Sequence, residues 1–150
     1  MTQPDPTDVL NRLLRLLHRS LAVYLDGTRP WLSPGGDVAL RLLRRMAADH
    51  RRDAERLVAA IREAGARPEF GSFPVAFTAV HDLSLDYLLG RLIEAQQRGI
   101  QVIDRCVADL SGFPRCRALA EEILGNAQGY LEMLEEVGNG EKSAQGQVPD

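Results

Sequence analysis

The chain has 150 residues, 45% of them hydrophobic and 26% charged, and a net charge of −3. That length suits one domain with a sizeable buried core, and the balance of apolar and charged residues excludes a fibrous or low-complexity chain. Aromatic residues make up only 5% and there are two cysteines, which points to a Leu/Ala-rich helical protein and away from a sheet or a disulfide scaffold.

Residues 1–7 form a polar lead punctuated by prolines, with Thr7 or Asp8 as the expected helix N-cap. No signal-peptide run opens the chain and no stretch approaches ~18 apolar residues, so a cytoplasmic location is expected. The first predicted helix runs from about Val9 to Leu25, with Leu10, Leu14, Leu17, Leu21 and Tyr24 at helical spacing. Asp26-Gly27 is read as its end. Thr28 to Gly36 is read as a rigid loop whose Trp31 closes one end of the core.

The second predicted helix runs from Val38 to Ala64, with Asp37 as its N-cap and Gly65 at the C-terminal position that favours a left-handed residue. Residues 66–78 are read as non-helical and hold two prolines and three of the four phenylalanines. Fully extended, they reach ~43 Å at ~3.3 Å per residue. A helix of about 27 residues is ~40 Å long at ~1.5 Å per residue. The linker is therefore long enough to run the length of a bundle and set the third helix parallel to the second.

The third predicted helix, Ala79 to Leu110, carries the stripe Leu85, Leu89, Leu92, Gln96, Gly99, Ile103, Cys106 and Leu110. Ser111-Gly112-Phe113 is a turn, and Pro114 suits the first position of a fourth helix ending at Val137. Its stripe is Cys116, Leu119, Ile123, Asn126, Tyr130, Met133 and Val137. Residues 138–150 read as a disordered tail. The fold class expected is an all-α, antiparallel four-helix bundle over residues 8–137, with one long crossover between the second and third helices.

That topology brings the helix centres together, and the centres are polar. His50 and Asp53 interrupt the apolar stripe of the second helix, and Gln96, Asn126 and Tyr130 fall on the stripes of the third and fourth. His50, Asp53, Gln96, Asn126 and Tyr130 are therefore read as one polar core layer whose members satisfy one another, with a buried His50–Asp53 hydrogen bond at its heart. The competing reading places a single divalent metal ion at His50 and Asp53, with His18 as a further ligand. Tyr24 and Tyr130 are candidates for a hydrogen-bonded pair.

The Leu-rich first helix ending in Tyr24-Leu25, the segment Asp53-Ala-Glu-Arg-Leu57, the aromatic linker and Tyr130-Leu-Glu-Met-Leu134 resemble the ferritin-like superfamily, including its small bacterial members. In the iron-binding members, the first and third helices each give a glutamate, and the second and fourth each give Glu-x-x-His. Carried over, those positions fall on Leu17, His50-Arg-Arg-Asp53, Gln96 and Ala127-Gln-Gly-Tyr130. None matches. The resemblance thus implies the fold without the di-iron centre.

Basic residues are concentrated early. Residues 1–67 hold 12 Arg against 8 acids, a surplus of +4, and residues 68–150 hold 6 basic residues against 13 acids, a deficit of −7. This split argues against nucleic-acid binding, which wants a net basic domain, and for charge-complementary contact within the bundle or between two copies. There is no phosphate loop, no Cys-x-x-Cys and no nucleophile elbow. The function expected is that of a non-catalytic structural or interaction protein, a cytoplasmic homodimer that binds neither nucleic acid nor membrane and carries no cofactor. The alternative is a metal-binding or oxidative-stress protein built on His50 and Asp53. A weaker idea is an apolar ligand held in a loose centre, where Gly99, Gly125 and Gly129 leave room. Cys106 and Cys116 flank the last turn and are read as free thiols.

Overall fold

The computed structural model describes residues 4–28, 36–80 and 85–146. They are all-helical, with no strand among the described residues. Five α-helices follow in order: α1 Pro6–His18, α2 Leu21–Thr28, α3 Asp37–Glu63, α4 Leu85–Asp109 and α5 Pro114–Gly146, with a 3₁₀ helix over Val75–Val80 ahead of α4. No helix is long and apolar enough to cross a membrane among the described residues.

The first predicted helix is in fact two. Arg19 leaves the helical path with φ −106° and ψ 25°. Ser20 then starts α2 as its N-cap: its carbonyl accepts from the Tyr24 N–H at 3.0 Å and its Oγ from the Val23 N–H at 3.3 Å. A serine offers the backbone this local alternative to helix, and the continuous leucine stripe hides it. α2 also runs on through Asp26-Gly27 to Thr28.

Four further boundaries differ from expectation. The third predicted helix does not begin at Ala79, since Val75–Val80 forms the 3₁₀ helix and α4 starts at Leu85. Asp5, not Thr7 or Asp8, caps α1, accepting from the Thr7 N–H at 2.9 Å with Pro6 in the first helical turn. Gly36 stands at the cap of α3 and Asp37 lies inside its first turn, where its charge faces the positive end of the helix. α5 does not stop at Val137 but continues through the polar residues 138–146. Part of the reason is packing: Gly138 sits against Ile93 and Leu89 of α4. Trp31 and His81 lie outside the described residues.

The end of α3 matches expectation. Gly65 has φ 79°, its N–H donates to the Arg62 carbonyl at 2.9 Å, and the Ala66 N–H donates to the Ile61 carbonyl at 3.1 Å. This pair of bonds is a Schellman cap, and the left-handed residue at its centre is one that only glycine adopts without strain.

The segment after it follows α1 and then α2. Asn11, buried on α1, donates to the Arg67 carbonyl at 3.1 Å and accepts from the Glu69 N–H at 2.8 Å. Arg15 pairs with Glu69 at 2.8 Å, and His18 stacks on Phe70 with ring centroids 4.9 Å apart. Tyr24 packs on Phe73 at 5.2 Å and on Phe77 at 5.4 Å.

Two apolar clusters make the core. One gathers Leu10, Leu13, Leu14 and Leu17 of α1 with Leu57 and Ile61 of α3, Ile103 and Cys106 of α4, Leu110 just past its end, and Ile123 of α5. The other gathers Leu21 and Leu25 of α2 with Leu43 and Met46 of α3, Leu88 and Leu92 of α4, and Tyr130 and Leu134 of α5. Each long helix contributes one half to each cluster.

Candidate functional site

Between the two clusters the core turns polar. Ser20 lies between Leu17 and Leu21, His50 and Asp53 between Met46 and Leu57, and Gln96 between Leu92 and Ile103. His50, Asp53 and Gln96 are buried, as is Tyr130, while Asn126 is exposed. The residues expected at one level are thus close to one another along the core. They do not form a single network.

His50 bonds to Ser20, not to Asp53. Its Nδ1 lies 2.8 Å from the Ser20 Oγ. That oxygen also accepts from the Val23 N–H and keeps both an O–H and a second lone pair for the ring, so the contact is satisfied in either direction. One side chain therefore caps α2 and satisfies a buried imidazole on α3. Burial drives the imidazole down from its ordinary 6.5 to about 4, against a smaller upward pull from the Asp49 carboxylate. His50 is a neutral residue at pH 7.

Asp53 turns the other way, toward α5. Its Oδ1 accepts from Arg56 at 3.5 Å and its Oδ2 from the Asn126 amide at 3.3 Å. Arg56 also pairs with Glu122 of α5. Gln96 sends its amide N–H to the Ala127 carbonyl at 2.9 Å, tying α4 to α5. Tyr130 donates to the Asp49 carboxylate and lies 3.5 Å from the Arg45 carbonyl. Burial first and Asp49 second push its phenol up to about 12. Tyr24 packs on Phe73 and Phe77.

The geometry explains the split. His50 and Asp53 are three residues apart on α3, so their side chains diverge by most of a right angle around the helix axis. His50 faces the α1–α2 break and Asp53 faces α5. The half-buried group that sequence reasoning misses is Asp49, which holds Tyr130. Its signal is faint, because it lies one residue off the apolar stripe.

No protein-family model and no curated protein matches the sequence.

These residues do not fit a di-iron centre. Such a centre needs several carboxylates converging on two cations. Leu17, buried in the first cluster, and Gln96, whose amide is spent on a backbone carbonyl, offer no carboxylate at this level. Among the described residues no group of three or more His, Cys, Asp or Glu side chains is placed to hold a metal ion. His18 is exposed and lies against Phe70.

The remaining candidates resolve locally. Cys106 is buried and Cys116 half-buried, and both are free thiols. Burial raises the pKa of each, which is the opposite of an activated nucleophile. The Arg12 guanidinium, 3.9 Å from the Cys106 sulfur, pulls the other way more weakly and pairs with Asp109 at 3.2 Å. A β-carbon placed on Gly99, Gly125 or Gly129 would meet nothing within 4 Å, and Gly125 is exposed. Gly99 and Gly129 are half-buried.

Proposed function

We propose that the chain is an antiparallel four-helix bundle of the ferritin-like type with a structural or protein-interaction role. In this reading α1 and α2 together form the first helix of the bundle, and residues 66–78 belong to its crossover. The path of that segment supports it: Arg67 to Glu69 meet Asn11, Phe70 meets His18 and Phe77 meets Tyr24, so the chain returns along the first helix before α4 begins. The α4–α5 pairing supports it too, since Gln96 meets Ala127 and Leu89 meets Gly138, a pair higher on one helix and lower on the other.

One observation carries the non-catalytic reading. At the level where a metal centre would lie, the polar atoms are bonded to the protein itself: both Asp53 oxygens to α3 and α5 groups, and the His50 Nδ1 to Ser20. A layer closed in this way ties helices together and gives the two halves of the core a fixed register. The protein is read as a cytoplasmic homodimer that takes neither nucleic acid nor membrane as partner.

Elemental analysis of untagged protein tests the first part. Sub-stoichiometric Fe, Mn and Zn is expected. A stoichiometric metal that disappears in His50→Ala would replace this reading with that of a metal-binding protein. Light scattering tests the second, with a mass near twice 16.6 kDa expected.

A further inference from the structure

We propose that two copies of the chain dock through the face shared by α3 and α5, about a two-fold axis running along the helices, with Arg41 and Arg45 of each copy over Glu132 and Glu136 of the other. The inference rests on the homodimer reading above and names its surface.

The register of α3 against α5 is set by three contacts: Arg56 with Glu122, Asp53 with Asn126 and Asp49 with Tyr130. Each step of three or four residues toward the start of α3 is matched by a similar step toward the end of α5. One and two turns further, Arg45 and Arg41 come level with residues 134 and 138, so Arg45 lies between Glu132 and Glu136 in height and Arg41 about half a turn beyond Glu136. All four are exposed. Arg45, Asp49, Arg52 and Arg56 follow one edge of α3 at helical spacing, and the last three of these point to α5 or to each other.

The charges along this seam fall into two groups. Nearer the start of α5 they are neutralised: Arg56 by Asp53 and Glu122, Arg52 by Asp49, Arg117 by Glu121. Toward its far end, no ion pair among the described residues involves Arg41, Arg44, Arg45, Glu132, Glu135 or Glu136. A positive strip on α3 and a negative strip on α5 therefore run side by side at one level. Between the two groups the face is nearly bare. Ala48 is on the α3 side, and Gly125 and Gly129 on α5 have open space where a β-carbon would stand. Small residues let two helix surfaces approach.

The arrangement selects the symmetry. Rotation about an axis parallel to the helices lays α3 of one copy over α5 of the other at the same level. Both strips then meet their opposites twice, in an isologous contact that closes. An axis across the helices would lay α3 over α3, and a positive helix would face itself. Such an interface is polar, so its strength depends on ionic strength, exposed charges being screened over ~10 Å at ~0.1 M salt.

The test is sedimentation velocity over a concentration series of the full chain, in ~50 mM and ~500 mM salt. The double variant Arg41→Glu/Arg45→Glu and the double variant Glu132→Arg/Glu136→Arg are each expected to lose about tenfold or more in self-association. An equimolar mixture of the two is expected to recover a 1:1 dimer, because each reversed strip then meets its opposite. The chain carrying all four substitutions is expected to self-associate as the wild type does, and it keeps the test open if either double variant fails to fold by circular dichroism. Dimers that persist in both double variants would overturn the assigned surface while leaving the homodimer standing. So would two folded variants that do not rescue each other, or a folded four-substitution chain that does not self-associate. A wild type that is monomeric in ~50 mM salt would overturn both.

Discussion

His50 makes stability depend on pH in a way that can be isolated. In the unfolded chain its imidazole has the ordinary value of 6.5, and in the folded protein burial holds it near 4. The sign follows from which state binds the proton. Between those two values the unfolded chain takes up a proton that the folded protein refuses, so stability falls as pH falls. Above 6.5 both states are neutral and the contribution is level; below about 4 both are charged and it is level again. A gap of about 2.5 units at ~1.4 kcal/mol each sets an upper bound of about 3 kcal/mol. The Ser20 contact does not itself break on protonation, since an Nδ1–H donates to the same Oγ. The cost is that of placing a charge where the side chain is 8% exposed and the Asp49 carboxylate offsets only part of the desolvation.

The assay is urea unfolding at pH 7, 6, 5 and 4.5, for the wild type and for His50→Gln. Glutamine keeps an oxygen for the Ser20 O–H and does not titrate. Carboxylates common to both proteins cancel in the difference. With ~1.5–2 kcal/mol per M for a domain of this size, the wild-type midpoint is expected to fall by roughly 1–2 M more than that of the variant between pH 7 and pH 4.5. Parallel curves, agreeing within ~0.5 kcal/mol over that range, would refute the claim that His50 is held neutral by burial.

Other substitutions probe separate parts of the fold. Ser20→Ala removes the α2 cap and the His50 partner together, and a loss of about 2–3 kcal/mol is expected in urea unfolding, against well under 1 kcal/mol if the break between α1 and α2 is incidental. Asn11→Ala removes both bonds that hold Arg67 and Glu69, and limited proteolysis is expected to cut residues 66–78 faster while helix content stays unchanged. Gly65→Ala is expected to cost about 1 kcal/mol because of its positive φ, whereas Gly99→Ala, in a helix with open space beside it, is expected to gain ~0.5–1 kcal/mol of thermal stability. If Gly99→Ala is destabilising, its surroundings are more crowded than described.

Much of the fold is legible in the sequence because it rests on local rules. The 3.6-residue stripes of α3, α4 and α5 place Leu43, Leu57, Leu92, Ile103 and Ile123 in the core, where they are found. Gly65 ends α3 through a backbone conformation that its neighbours cannot adopt. The boundaries that differ are those where two local options compete. The leucine stripe from Leu10 to Leu21 argues for one helix, while Ser20, a single capping residue, argues for two; the tie is broken by His50, thirty residues away. The α5 extension past Val137 runs against its glycines, and contact between Gly138 and α4 is a tertiary matter.

The polar layer shows the same division. That the middle of the core is polar follows from sequence alone, because His50, Asp53, Gln96 and Tyr130 stand on apolar stripes and burying a stripe buries its polar members. Which atom meets which does not follow. A three-residue separation on α3 sends His50 toward Ser20 and Asp53 toward Asn126, so a pair that looks self-neutralising in the sequence serves two different interfaces. Periodicity specifies the face of a helix to within a side chain. Hydrogen bonds depend on distances of about 3 Å between groups far apart in the chain, and only the packed helices determine those.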